Sequence, residues 1–273
     1  MSNNTKQYIE EEATQIRHNY NFRDYAIDLF KLGEDLGIEI KTESKKSVGI
    51  SGALIRYGNN FLIYYASSIN NIPYQRFSIA HEFGHYFLPA HPENIFKDGA
   101  HYSYAGMGSK DPYEREADYF STCLLMPKFL FQQEMIKYND GMEAIKNLAN
   151  IFNTSLTSTA IRYIELTEVP AMLVISKNNV VEAVFTTKEL RKFGKNIYVK
   201  NNILPTKDIF STEQTKREIS LNCWIHTNLQ IKGIEESIFL GSYEKMLTVI
   251  TTPILYEEIE GTSSSNFWKP LSF

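Results

Sequence analysis

The chain has 273 residues, 43% of them hydrophobic and only nine of them proline, so it is long enough to bury a core and form two packed units, which excludes general disorder. Lys and Arg total 28 against 32 Asp and Glu, a formal charge of −4 that offers no overall positive field to a polyanion such as DNA. Acidic Glu10, Glu11 and Glu12 near the start, and no run of about 18 apolar residues, exclude an export signal and a membrane span and point to the cytoplasm.

Apolar positions at helical spacing, among them Ile9, Ala13, Ile16, Leu29, Leu32 and Leu36, predict two amphipathic helices between residues 8 and 37, stopped at Gly37. A strand at 38–40 follows. Runs 53–57 and 61–66, separated by Gly58, Asn59 and Asn60, predict a hairpin whose edge could accept an extended peptide. Pro73 opens a helix through Phe87. Residues 91–111 are rich in Gly, Ser, Pro, His and Tyr without a period and read as a long loop bordering a site. A helix from Tyr113 to Leu125 ends at Pro127, and three short helices are expected near 128–138, 142–152 and 156–167. After Pro170 come β-prone runs at 171–175, 180–185, 197–199, 237–240 and 246–251, with one helix around 211–221. The polar segment 261–266 precedes Phe267, Trp268, Leu271 and Phe273, which could dock the tail. Cys123 and Cys223 lie outside any Cys-x-x-Cys spacing and are expected to be buried free thiols.

His81-Glu82-Phe83-Gly84-His85 is His-Glu-x-x-His on a predicted helix. Residues four apart share a helical face, so both imidazoles can reach one ion, while Glu82 projects about 100° around and can contact a water beside it. That is the arrangement metal-assisted hydrolysis needs: zinc with three protein ligands and an open position, and Glu82 as general base. Four of the six histidines fall between His81 and His101. On the next helix Glu114 and Asp118 share a face, with Ala117 small enough for close helix packing, so Glu114 is expected as third ligand and Asp118 as acceptor of an outer histidine N–H. Glu116 is the alternative ligand, pointing to a different face, and both glutamates could simply be solvated. His101, Tyr102 and Tyr104 could each donate to an oxyanion. Histidine and carboxylate ligands suit zinc first, with manganese, iron or cobalt able to replace it.

Residues 76–88, Glu114 to Phe120 and Leu124 to Pro127 resemble the signature of the ImmA/IrrE family of metallopeptidases, a likeness extended by Ser51-Gly52-Ala53 and by 148–155. It covers about residues 20–168 and implies a thermolysin-like α+β zincin core with His81, His85 and Glu114 as ligands and Glu82 as base. The fold expected is that core at 1–127, a helix-turn-helix-like extension at 128–168, and a β-rich α+β domain at 169–273 similar to the sensor-like (GAF-like) domain of the radiation-response branch. The resemblance also implies cleavage of a helix-turn-helix repressor, which relieves repression of mobile-element or stress-response genes. With no room for a DNA-binding domain ahead of the core, that repressor is expected to be a separate protein. Many members end the motif helix His-Tyr-x-Leu-His; here Pro89 takes the last position and His91 follows two residues later, where it is not expected to be a ligand. Between 141 and 168 the basic residues are only Lys146 and Arg162, so direct DNA contact is not expected. The competing reading is a non-catalytic regulator that binds a partner through a zinc-stapled domain.

Overall fold

A computed structural model describes residues 1–43, 49–96, 99–104, 109–205 and 214–252, and the fold is α+β. Contacts divide it into two compact units, Met1–Thr167 and Glu168–Phe273. Among the described residues no helix is long and apolar enough to cross a membrane.

In the first unit, helix α1 (Asn3–Asn19) buries Ile9, Ala13 and Ile16, and α2 (Leu29–Leu36) is stopped by Gly37 at φ 69°, a left-handed cap that glycine adopts without strain. Strands β1 (Glu39–Glu43), β2 (Ile50–Tyr57), β3 (Asn60–Ala66) and β4 (Ala100–Tyr104) form a sheet in the order β1-β3-β2-β4. β1 runs parallel to β3, and the other pairs are antiparallel. The hairpin turn is tighter than expected, with Tyr57 opposite Asn60 across Gly58 and Asn59. Both hairpin strands are interior, which corrects the expectation that they present an edge: β4, folded from residues read as loop, covers β2. That same span also holds the short helix α4 (His91–Ile95). Aperiodic composition hides both elements because each is only five residues long.

Helix α3 (Ile72–Phe87) begins where the Asn71 side chain accepts from Tyr74 N–H, with Pro73 in its first turn. Helix α5 (Pro112–Leu125) is capped by Asp111 and crosses α3 at Gly84, where an added Cβ would sit 2.9 Å from Ala117 Cα. The two backbones therefore nearly touch, and Ala80, Phe83, Phe120 and Leu124, all fully buried, close the core around the crossing, each large apolar side chain contributing about 2 kcal/mol of burial.

Helices α6 (Lys128–Met135), α7 (Met142–Phe152) and α8 (Leu156–Leu166) complete this unit. Arg162 on α8 is wholly buried: Nε donates to Met126 O at 3.1 Å, Nη2 to both Glu10 oxygens at 2.6 and 2.8 Å, and Nη1 to Glu165 at 3.0 Å. This cation ties α8 to α1 and faces carboxylates rather than solvent.

The second unit contains β5 (Ala171–Lys177), β6 (Val180–Thr186), β7 (Lys195–Asn196), β8 (Thr215–Ser220), β9 (Ile225–His226), β10 (Lys232–Leu240) and β11 (Lys245–Thr251). Five of them make an antiparallel sheet, β6-β5-β11-β10-β8, and Met172, Val174 and Ile250 on one face join Leu190, Trp224 and Ile225 in a core. Of the helix expected around 211–221, residues 211–213 lie outside the described residues and Thr215–Ser220 is instead strand β8, because Arg217 and Lys216 pair with Glu235 and Glu236 of β10, a tertiary gain that overrides helical propensity. The strand expected at 197–199 lies at Lys195–Asn196. Cys123 is buried, but Cys223 is exposed, against expectation. A cavity of about 650 Å³ in this unit is lined by residues including Ser176, Arg217, Trp224 and Thr248. The tail residues Phe267, Trp268, Leu271 and Phe273 lie outside the described residues.

Candidate metal centre

The helical repeat of α3 sets His81 and His85 one turn apart with their Nε2 atoms 3.0 Å from each other. From α5, across the Gly84–Ala117 contact, Glu114 places Oε2 at 3.3 Å from His81 Nε2 and Oε1 at 3.2 Å from His85 Nε2. These three residues are the group, among those described, whose donor atoms converge as a metal site requires. Ligands about 2.1 Å from a tetrahedral zinc stand roughly 3.4 Å apart, so the observed spacing and the donor set of two imidazoles and one carboxylate both fit that ion.

The rest of the acidic cluster stands around them. Asp118 Oδ1 lies 2.9 Å from His81 Nδ1, on the outer side of that ring. Glu116 reaches neither His81 nor His85 but lies 3.2 Å from Nε2 of His91, whose Nδ1 is 3.1 Å from His85 Nδ1. His91 is fully buried, and sequence reasoning passed over it because no helical spacing relates it to His85. Strand β4 brings His101 Nε2 to 2.8 Å from Glu114 Oε1 and its ring to 4.4 Å from the His85 ring. Alternation along β4 puts Ser103 on the same side as His101 and turns Tyr102 and Tyr104, both exposed, to the other, so the structure does not bring the two tyrosines to the cluster.

Glu82 is completely buried, and among the described residues neither its carboxylate oxygens nor the neighbouring Ser103 hydroxyl makes a hydrogen bond of standard geometry. Its seat is Gly52 of β2, where a Cβ would lie 2.6 Å from Glu82 Oε1. Burial pushes the Glu82 carboxyl up to about 7, against the pull of the nearby His81 and Ser103. Burial opposes protonation of His81, but Asp118 and Glu114 outweigh it and lift that group to about 10. Burial, assisted by His81 and His101, takes His85 down to about 3 against the pull of the Glu114 carboxylate. Glu114 is held far below the usual carboxylate range: burial works against its charge, and hydrogen bonds from His101, His81 and His85 overcome it.

Residues 34–163 match the family model described as the IrrE N-terminal-like domain, peptidase family M78. The match contains every residue of the cluster. Among solved structures, a Mycobacterium tuberculosis transcriptional regulator is 10% identical and aligns over 96% of this chain and 93% of its own with a TM-score of 0.53, a likeness of fold. No curated protein matches the sequence.

Proposed function

We propose that this chain, whose residues 34–163 match the IrrE N-terminal-like peptidase domain, is a zinc-dependent endopeptidase that cleaves a separate helix-turn-helix repressor and so relieves repression. The observation that carries the reading is the buried Glu82 carboxylate, seated against Gly52, beside the triangle His81, His85 and Glu114. Those three residues would hold the metal. A bound zinc ion would supply Lewis acidity toward water and the scissile carbonyl.

The remaining work falls to the chain's own side chains. Glu82 takes a proton from the attacking water and returns it to the leaving amine, a role that suits a carboxyl raised by burial. The position of His101 Nε2, 2.8 Å from Glu114 Oε1, supports a role for this residue as donor to the developing oxyanion. As an outer strand of its sheet among the described residues, β4 offers an extended substrate a backbone to pair with, ahead of the hairpin. The cavity in the second unit supports a ligand-sensing role for residues 169–273.

Metal content and cleavage of the repressor encoded beside this protein's gene, compared between wild type and Glu82→Gln, test the assignment. Zinc at about one per chain in both, with cleavage by wild type alone, is the expected result. Binding of the repressor without cleavage by either form would replace the peptidase with a regulator that acts by binding, and loss of metal from both would refute the ligand set.

A further inference from the structure

The outer side of His85 is as completely built as the side that faces Glu114. His91 is wholly buried between two polar partners, Nδ1 at 3.1 Å from His85 Nδ1 and Nε2 at 3.2 Å from Glu116 Oε2, and its ring stands edge-on to Tyr113. On one continuous helix, positions this far apart would diverge by roughly 240°, so α3 has to end before the two rings can meet. It ends at Phe87.

Leu88, Pro89, Ala90 and His91 then form a turn closed by His91 N–H donating to Leu88 O at 3.2 Å. Pro89 occupies the position such a turn favours for proline, and Ala90 is held at φ 67°, where glycine or asparagine is usual because an alanine Cβ crowds the following carbonyl. That unfavourable conformation has a visible result: it returns the chain so that α4 starts with His91 beneath His85.

We propose that His91, backed by Glu116, is the outer partner that fixes the tautomer and orientation of His85, so that its Nε2 lone pair is aimed at the metal position. The proposal rests on the peptidase reading of the same site. Its hydrogen bonds have one consistent direction. His85 Nδ1–H donates to His91 Nδ1, and His91 Nε2–H donates to Glu116; the reverse direction would leave a proton on His85 Nε2, where a ligand needs a lone pair. Both nitrogens of His91 are thereby engaged, which makes it a positioning residue and not a fourth ligand. Asp118 does the same for His81 without an intermediary. Helix α5 accordingly supplies Glu114 to the ion, Asp118 behind one histidine and Glu116, through His91, behind the other.

The test uses the full chain. Zinc affinity is measured by competition with a chromophoric chelator, and the visible spectrum of the cobalt(II)-substituted protein reports the geometry of the ligands. His91→Phe and Glu116→Gln should each weaken zinc about tenfold or more and alter the cobalt spectrum. His91→Gln, whose amide can accept from one side and donate to the other, should recover part of the loss. The double variant should lose little beyond the larger single effect, because the two residues act in one line. Glu116 is partly exposed, so Glu116→Gln keeps the test open even if a change at His91 disturbs folding. Wild type that binds zinc while both single variants keep its affinity and cobalt spectrum, or losses that simply add, would overturn this proposal alone; wild type that binds no zinc would overturn the peptidase reading and this proposal with it.

Discussion

Gly52 and Glu82 form a lock in which the smallest residue sets the position of the proposed general base. The glycine lies in β2 with ordinary backbone angles, so its role is space: a Cβ there would fall 2.6 Å from Glu82 Oε1 and 3.2 Å from Glu82 Cγ. Since Glu82 is enclosed on all sides, it cannot move aside without displacing its neighbours. Gly52→Ala should therefore leave zinc stoichiometry near that of wild type and lower kcat by roughly tenfold to a hundredfold, the penalty of a general base displaced by about an ångström. Steady-state cleavage with parallel metal analysis checks this; an unchanged kcat would mean that Glu82 tolerates another seat. His101 and Ser103 show the limit of reading residues singly. Their neighbours Tyr102 and Tyr104 look equally reactive in the sequence, and only strand alternation separates the pair that faces inward from the pair that faces out.

At the scale of elements, the crossing of α3 and α5 sets the ligand spacing. An added side chain at position 84 would collide with Ala117 backbone atoms at 2.9 and 3.2 Å, a contact that backbone cannot relieve by changing rotamer. Gly84→Val should cost about 1–3 kcal/mol and also weaken zinc, because parting the helices moves Glu114 away from both histidines. Chemical denaturation together with chelator competition measures the two effects. A second prediction concerns the tie between α8 and α1. Burial tends to raise the pKa of Glu165, but Arg162 and Lys6 outweigh it and the group is held below its usual value. A carboxylate with a depressed folded pKa contributes stability that is present above its unfolded value of about 4.3 and is lost as the pH falls through the folded value. The Tm difference between wild type and Glu165→Gln should thus be fully developed near neutral pH and shrink on acidification, and a difference that grows in acid would contradict the ion-pair account. The helices α7 and α8 are legible in the sequence, but the fate of Arg162 is not: it binds Glu10, a partner 152 positions away.

At the scale of the molecule, all residues of the metal cluster belong to the unit Met1–Thr167, together with the sheet and helices that position them. A fragment of residues 1–167 should fold cooperatively and bind about one zinc with affinity close to that of the full chain, as judged by circular dichroism and chelator competition. Failure of the fragment to fold would show that the first unit depends on the second. What the sequence determined alone is whatever repeats within a turn or two of helix: the pairing of His81 with His85, the shared face of Glu114 and Asp118, the helix starts near Pro73 and Tyr113, and the stop at Gly37. These follow from a fixed rise and angle per residue and from local capping, neither of which requires knowledge of where the chain goes next. The tertiary structure decided the rest: the return of His91 to His85, its link to Glu116, the burial of Glu82 over Gly52, the entry of β4 beside the site, and the formation of β8 where the local pattern favours a helix. Each of these joins segments through chain reversals and strand registers. Their stability comes from contacts between distant positions, so no window of the sequence short enough to show a period contains them.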